Sequence, residues 1–225
     1  MNEPEHILSS SQENKEEIQV AREFLRHADP VLAQVIDTYP DFNPREWLSE
    51  LPTLDAFGTL VFQVIGQQLS VQATRRILAR LQDLFGGTMP APTQLLAASP
   101  DDLRRAGLSN RKVATVRLLA DYFVDGRLSQ KQLEMLSDQD IEAQLTAIPG
   151  IGPWTVHGFL IIALNRTDVV LPGDLALRKS IQRVYKLPHL PTPDEVIQRA
   201  EHWRPYRSLA TAYLFQAAFD TRQNR

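Results

Sequence analysis

The sequence predicts an all-α fold. Apolar residues recur at helical spacing through most of the chain, and Ser, Thr, Asp, Pro and Gly stand at the segment ends where helices are capped. No stretch alternates apolar and polar residues over the length of a strand.

Residues 1–14 are polar and are expected to form a disordered tail. Lys15 to His27 predicts a helix whose apolar face holds Ile18, Val20, Ala21, Phe24 and Leu25. Asp29-Pro30 starts a second, short one, because Asp caps and Pro suits the first turn. Residues 37–53, rich in Pro, Asp and Asn and including Trp47, read as a linker with short turns. Leu54 to Gly66 suits a buried helix, and Ser70 to Phe85 an amphipathic one that Gly86-Gly87 stops. Short helices follow at 93–98, 100–106 and 110–124, the last two behind the caps Ser99 and Ser109. Gly126 breaks the chain before a helix from Ser137 to Ile148. Pro149 to Pro153 turns sharply into an apolar helix ending at Leu164. Val169-Val170-Leu171 is short, β-branched and extended. Asp174 to Tyr185, Thr192 to Glu201 and Ser208 to Phe219 are the remaining helices.

The chain has 225 residues, 43% hydrophobic and 23% charged, an ordinary globular composition that excludes collagen and coiled coil as the main state. It contains no cysteine, which removes disulfides, cysteine nucleophiles, cysteine-ligated zinc and iron–sulfur clusters together. No run reaches the roughly 18 apolar residues of a membrane span, and the acidic N-terminus does not read as a signal peptide. Metalloprotease, hydrolase, dinucleotide and P-loop patterns are absent.

The net charge of −3 argues against a nucleic-acid partner only at first sight. Residues 1–29 hold seven acids against three bases, which leaves the rest close to neutral. Basic clusters occur at Arg75, Arg76 and Arg80, at Arg104 and Arg105, at Arg111, Lys112 and Arg117, and at Arg178, Lys179, Arg183 and Lys186. Any one of these is more simply the solvated face of a helix.

The most informative segment is Leu145 to Val156, LTAIPGIGPWTV. Two helices flank a turn with glycines at 150 and 152, so the second helix begins with unsatisfied N–H groups beside Gly150 and Gly152. Such an N-terminus, assisted by the helix dipole, suits a phosphate and needs no lysine. A bare GxG would more simply be a tight turn between helices. The proline before the first glycine and the apolar helix on each side favour the phosphate reading.

This string resembles the hairpin of the helix-hairpin-helix DNA glycosylase superfamily, here at 141–164. Three further pieces match in order: Val64 to Ser70, similar to the family's glutamine-containing segment that probes DNA; Ala106 to Lys112, similar to its Gly-Leu-x-x-x-Lys turn; and Val169 to Asp174, similar to the loop that ends on its catalytic aspartate. The resemblance runs from about 57 to about 215 and is greatest to the 3-methyladenine DNA glycosylase II branch, of which this looks like a compact member. It implies two helical lobes around a cleft, 54–165 forming one and 15–53 with 166–225 the other.

The resemblance assigns catalysis to Asp174, although an Asp before a helix is usually a cap worth about 1 kcal/mol. The two roles can coexist. Breaking an N-glycosidic bond develops positive charge on the sugar, which a carboxylate stabilises, and a cationic alkylpurine leaves with little acid catalysis. Trp154 and Tyr206 are the aromatics matched to the pocket for the extruded base, and Trp203 and Tyr213 suit the core. Gln67, Gln68 and Leu69 are candidates for the wedge that fills the gap in the duplex, Gln67 with a structural alternative. Gly150, Gly152, Thr155, Ser109 and Lys112 are candidate phosphate contacts. Carbonyls of Thr146, Ile148 and Ile151 match a monovalent-cation site found in some members, and no other cofactor is expected. His157 suits a core or rim position.

In the strand-cleaving branch a lysine nucleophile stands where this chain has Trp154, and a tryptophan cannot form a Schiff base. The expectation is a monofunctional glycosylase that removes 3-methyladenine- and 7-methylguanine-type bases from double-stranded DNA, as a monomer with no membrane. It would be cytoplasmic at the nucleoid in a bacterium and nuclear in a eukaryote. The alternatives are a non-catalytic hairpin DNA-binding protein and a glycosylase for another lesion.

Overall fold

The computed structural model describes residues 4–44 and 54–220, with side chains from Glu16 onward. Residues 45–53, including Trp47, lie outside the described residues. Those described form α-helices joined by turns, with no strand among them. The chain divides into two compact units, Leu51–Arg166 and Met1–Glu50 with Thr167–Arg225.

The unit Leu51–Arg166 is built around α3 (Ala56–Gly66), whose side chains are buried from Ala56 to Ile65. A helix apolar on every face must be wrapped by others. Around it pack α4 (Val71–Leu84), α7 (Asn110–Val124), α8 (Gln130–Met135) and α10 (Pro153–Ile162). α5 (Pro92–Ala97) and α6 (Pro100–Arg105) lie against α7, and α9 (Asp138–Thr146) against α10. The crossing of α3 and α10 is close enough that a Cβ on Gly158 would stand 2.6 Å from Gln63 Oε1. Ser70, Ser99, Ser109, Ser129 and Ser137 each cap the helix that follows by accepting an N–H from its first turn.

The other unit holds α1 (Pro4–Ala28), α2 (Pro30–Thr38), α11 (Leu175–Val184), α12 (Pro193–Ala200) with a 3-10 turn at Glu201–Trp203, and α13 (Arg207–Phe219). Its core is organised by Asp29. One carboxylate oxygen caps α2 through Val31 and Leu32 N–H, both at 3.0 Å. The other accepts Tyr185 O–H at 2.6 Å and Trp203 Nε1–H at 2.9 Å. Trp203 and Tyr213 are fully buried, as their positions in the pattern suggest.

Two sequence expectations are corrected. Helix α1 begins at Pro4 rather than at Lys15. A proline such as Pro4 suits the first turn of a helix. The second correction is α8, which falls in the gap left between Gly126 and Ser137. Its length of 6 residues is too short to show a periodic signal, although Ser129 marks its start. Val169 to Leu171 is buried and forms no strand.

Candidate functional site

The hairpin joins α9 to α10 through residues 147–152. Gly150 has φ +95°, and a Cβ there would run into the side chain of Thr115 on α7. Both the backbone angle and the packing therefore demand glycine. Gly152, the N-cap of α10, has φ −115° and nothing within 4 Å of its α-carbon's free side. Its lack of a side chain leaves open space at the start of a helix. The N–H groups of Gly150 and Gly152 meet no acceptor among the described residues, whereas Thr155 and Val156 N–H both turn back to Gly152 O.

Three side chains tie this turn to its neighbours. Thr115 Oγ1 bonds Pro149 O at 3.1 Å. Gln67 Nε2 donates to Gly150 O at 2.8 Å and to Thr155 Oγ1 at 2.9 Å. His157 Nε2 lies 3.4 Å from Glu142 Oε2, linking α10 to α9, which places this histidine at the rim of the hairpin. Sequence reasoning missed Thr115, one turn beyond Arg111, because a lone threonine in an amphipathic helix carries no periodic signal.

The structure changes several expected roles. The Gln67 side chain is tied to the hairpin, which matches the structural alternative for this residue. Gln68 and Leu69, the next two residues, are exposed, Leu69 by 41%. Gln68 stands at φ 58°, which non-glycine residues seldom adopt outside sites that require it. Thr155 is buried and its hydroxyl accepts from Gln67, so it is no surface phosphate contact. The Lys112 ammonium turns inward, donating to Ile65 O at 2.7 Å and Gln67 O at 2.9 Å. Carbonyls at a helix C-terminus attract a cation, and burial draws the Lys112 pKa below the ordinary lysine value. Ser109 is exposed and caps α7 by accepting Lys112 N–H at 3.3 Å. Arg111, beside it, is exposed.

Trp154 is half-buried in the first turn of α10. Thr146 ends α9, Ile148 O accepts Ile151 N–H at 3.0 Å, and the side chains of Ile148 and Ile151 are buried. Among the described residues no group of three or more His, Cys, Asp or Glu is disposed to hold a metal.

In the other unit, Asp174 is half-buried as the N-cap of α11. Its Oδ1 accepts Leu177 N–H at 2.9 Å, and its own N–H is bonded to Leu171 O at 3.0 Å. The buried segment Val169 to Leu171 thus fixes the carboxylate from behind. Ser208 supports that segment from α13, accepting Val169 N–H at 3.0 Å. Tyr206 begins α13 half-buried, its ring meeting Phe24 edge-on at 5.4 Å.

The family model described as HhH-GPD superfamily base excision DNA repair protein matches residues 61–205. DNA-3-methyladenine glycosylase 1 of Schizosaccharomyces pombe is 31% identical over 166 residues, covering 73% of each chain. DNA-3-methyladenine glycosylase 2 of Escherichia coli is 28% identical over 174 residues, and the match spans 57% of that enzyme's length. Among solved structures, the Schizosaccharomyces pombe 3-methyladenine DNA glycosylase in complex with abasic DNA superposes with a TM-score of 0.81 at 28% identity, covering 87% of this chain and 95% of the other. A DNA-3-methyladenine glycosidase from Bacillus halodurans gives 0.67 at 30% identity, covering 87% and 92%. The hairpin, the glutamine turn and the capped aspartate all lie within or beside the matched region, and the chain belongs to the HhH-GPD superfamily of base excision DNA repair proteins, on its 3-methyladenine DNA glycosylase branch.

Proposed function

We propose that the chain is a monofunctional DNA glycosylase that extrudes an alkylated purine from duplex DNA and hydrolyses its N-glycosidic bond, opening base excision repair. The observation that carries this is Asp174, fixed at the N-terminus of α11 by Leu177 N–H and by the buried segment behind it. Capping and catalysis can coexist on one carboxylate. As the base departs, the sugar gains positive charge at the anomeric carbon and the carboxylate offsets it. Water adds to that carbon and loses a proton, for which Asp174 is the assigned base. A 3-methyladenine or 7-methylguanine carries its own positive charge and leaves as a neutral base.

The remaining roles follow from position. The amides at Gly150 and Gly152 take a phosphate, and the open side of Gly152 lets it approach. Gln68 is the residue assigned to the wedge, because its backbone is held in the rarer conformation while its side chain is exposed. Trp154 and Tyr206 supply aromatic faces for an electron-poor base. Carbonyls of Thr146, Ile148 and Ile151 are neutral hard oxygens, a donor set that fits a monovalent cation and not a transition metal. The cation would add positive charge for a phosphate beside the hairpin. No helix among the described residues is long and apolar enough to cross a membrane.

The test is incubation with duplex DNA carrying one lesion at a time, followed by alkali. Strand breaks at 3-methyladenine or 7-methylguanine, appearing only after alkali, are the expected result. Binding without breaks at any lesion would leave a non-catalytic hairpin protein.

A further inference from the structure

Leu69 N–H bonds Gly66 O at 3.1 Å, Gln67 has φ −52° and ψ 124°, and Gln68 has φ 58°. These are the angles of a type II turn with the two glutamines at its centre. The second central position of that turn favours glycine, so a glutamine there is strained. In the unstrained alternative, a type I turn, both central residues keep negative φ and the peptide between them is flipped by about half a turn. That flip would carry Gln67 O to the opposite side, away from the Lys112 ammonium it now accepts at 2.9 Å. The same ammonium also holds Ile65 O, one turn earlier, at 2.7 Å. Meanwhile the Gln67 side chain is fixed to the hairpin.

We propose that Lys112 is a positioning residue for base extrusion: by holding Gln67 O it selects the type II turn and so sets the direction in which Gln68 enters the duplex. The inference rests on the glycosylase reading above. Lys112 is half-buried and spends its hydrogen bonds on the turn, which distinguishes it from the exposed Arg111 next to it. Its helix, α7, also reaches the hairpin through Thr115, so one helix braces both the phosphate grip and the wedge. The charge-assisted hydrogen bond to Gln67 O, which the flip would break, is of the size needed to offset the strain at Gln68, while the bond to Ile65 O keeps the ammonium in place.

The test is a double-mutant cycle of Lys112→Met with Gln68→Ala, read as single-turnover excision of an alkylated base from fully paired duplex. Each single variant should slow excision roughly tenfold or more. The pair should be no slower than Gln68→Ala alone, within about twofold. A purely structural lysine would make the two losses multiply, and that result overturns the proposal. A second measurement is the salt dependence of binding to undamaged duplex. It should keep its slope in Lys112→Met, whereas a lysine on a phosphate would lower the slope by about one; that drop also overturns it. If Lys112→Met does not melt cooperatively, Lys112→Gln, which keeps a donor on a shorter stem, takes its place with the same non-multiplying loss expected. A wild-type protein that excises no alkylated base refutes the glycosylase reading and this inference together. An active wild type with multiplying losses refutes only the role of Lys112.

Discussion

Gly150 and Thr115 are packed so that no side chain fits between them: a Cβ on residue 150 would overlap Thr115 Oγ1 and stand 3.1 Å from Thr115 Cβ. Thr115 is itself fixed, because its hydroxyl bonds Arg111 O and Pro149 O. Gly150→Ala must therefore break that bond or move the hairpin, and it also places a Cβ at φ +95°. The expected loss is about 2 kcal/mol or more of stability. Gly152→Asp should behave oppositely, since φ is −115° and the space beside it is open. It should melt near wild type and bind DNA more weakly, by a similar factor for damaged and undamaged duplex, because phosphate contacts position without specifying. Denaturant melts beside binding titrations separate the two glycines; equal stabilities would contradict the packing, and unchanged affinity in Gly152→Asp would remove the phosphate site.

The difference between these glycines shows what was legible in the sequence. The string LTAIPGIGPWTV places a turn between two helices, and periodicity places most of the helices around it, because both signals are local in the chain. Asp174 was legible for the same reason, as a cap after a short apolar segment. What Lys112, Gln67 and Thr155 touch was not, since each partner lies on another element: Lys112 reaches back to Ile65 and Gln67, and Gln67 forward to Gly150. A basic residue at a helix start reads as a phosphate ligand until the carbonyls that claim it are known. The Asp29, Tyr185 and Trp203 cluster was hidden likewise, because it joins residues 156 and 174 positions apart.

Trp154 predicts the fate of the DNA strand. With no amine at the start of α10 to attack the anomeric carbon, neither a Schiff base nor elimination is expected. Abasic DNA should accumulate unbroken until alkali is added. Borohydride added during turnover should trap no covalent adduct; a trapped band of protein and DNA would show a nucleophile elsewhere and end the monofunctional reading.

Asp29 predicts an acid limit to stability. Burial raises its pKa, but donors from Trp203, Tyr185, Leu32 and Val31 favour the carboxylate more and hold the value below the ordinary one. A depressed folded-state pKa means the unfolded chain binds the proton first as the pH falls. The contribution of Asp29 is thus whole above the unfolded aspartate value of about 3.9 and disappears as the pH drops through the lower folded value. Asp29→Asn should be less stable at neutral pH, and its stability should fall less steeply below about pH 4. Urea melts from pH 3 to 7 on both proteins measure this. Parallel curves would mean that other carboxylates set the acid limit.

One substitution separates the N-cap role of Asp174 from its proposed catalytic role. As the N-cap of α11 it accepts Leu177 N–H at 2.9 Å, and asparagine caps as well as aspartate does. Asp174→Asn should therefore keep nearly all of the roughly 1 kcal/mol that the cap contributes. The same change removes the negative charge proposed to offset the cationic sugar. Losing a preorganised electrostatic partner costs roughly 3–4 kcal/mol in the transition state, or on the order of a hundredfold to a thousandfold in rate. The variant should melt near wild type, bind lesion DNA about as well, and excise far more slowly. The deficit should be smallest for 3-methyladenine and 7-methylguanine, whose charged bases depart most readily, and larger for any neutral lesion the protein accepts. Single-turnover excision measured beside thermal melting and a binding titration decides it. A normal rate in Asp174→Asn would reduce Asp174 to a helix cap and leave the proposed reaction without its carboxylate.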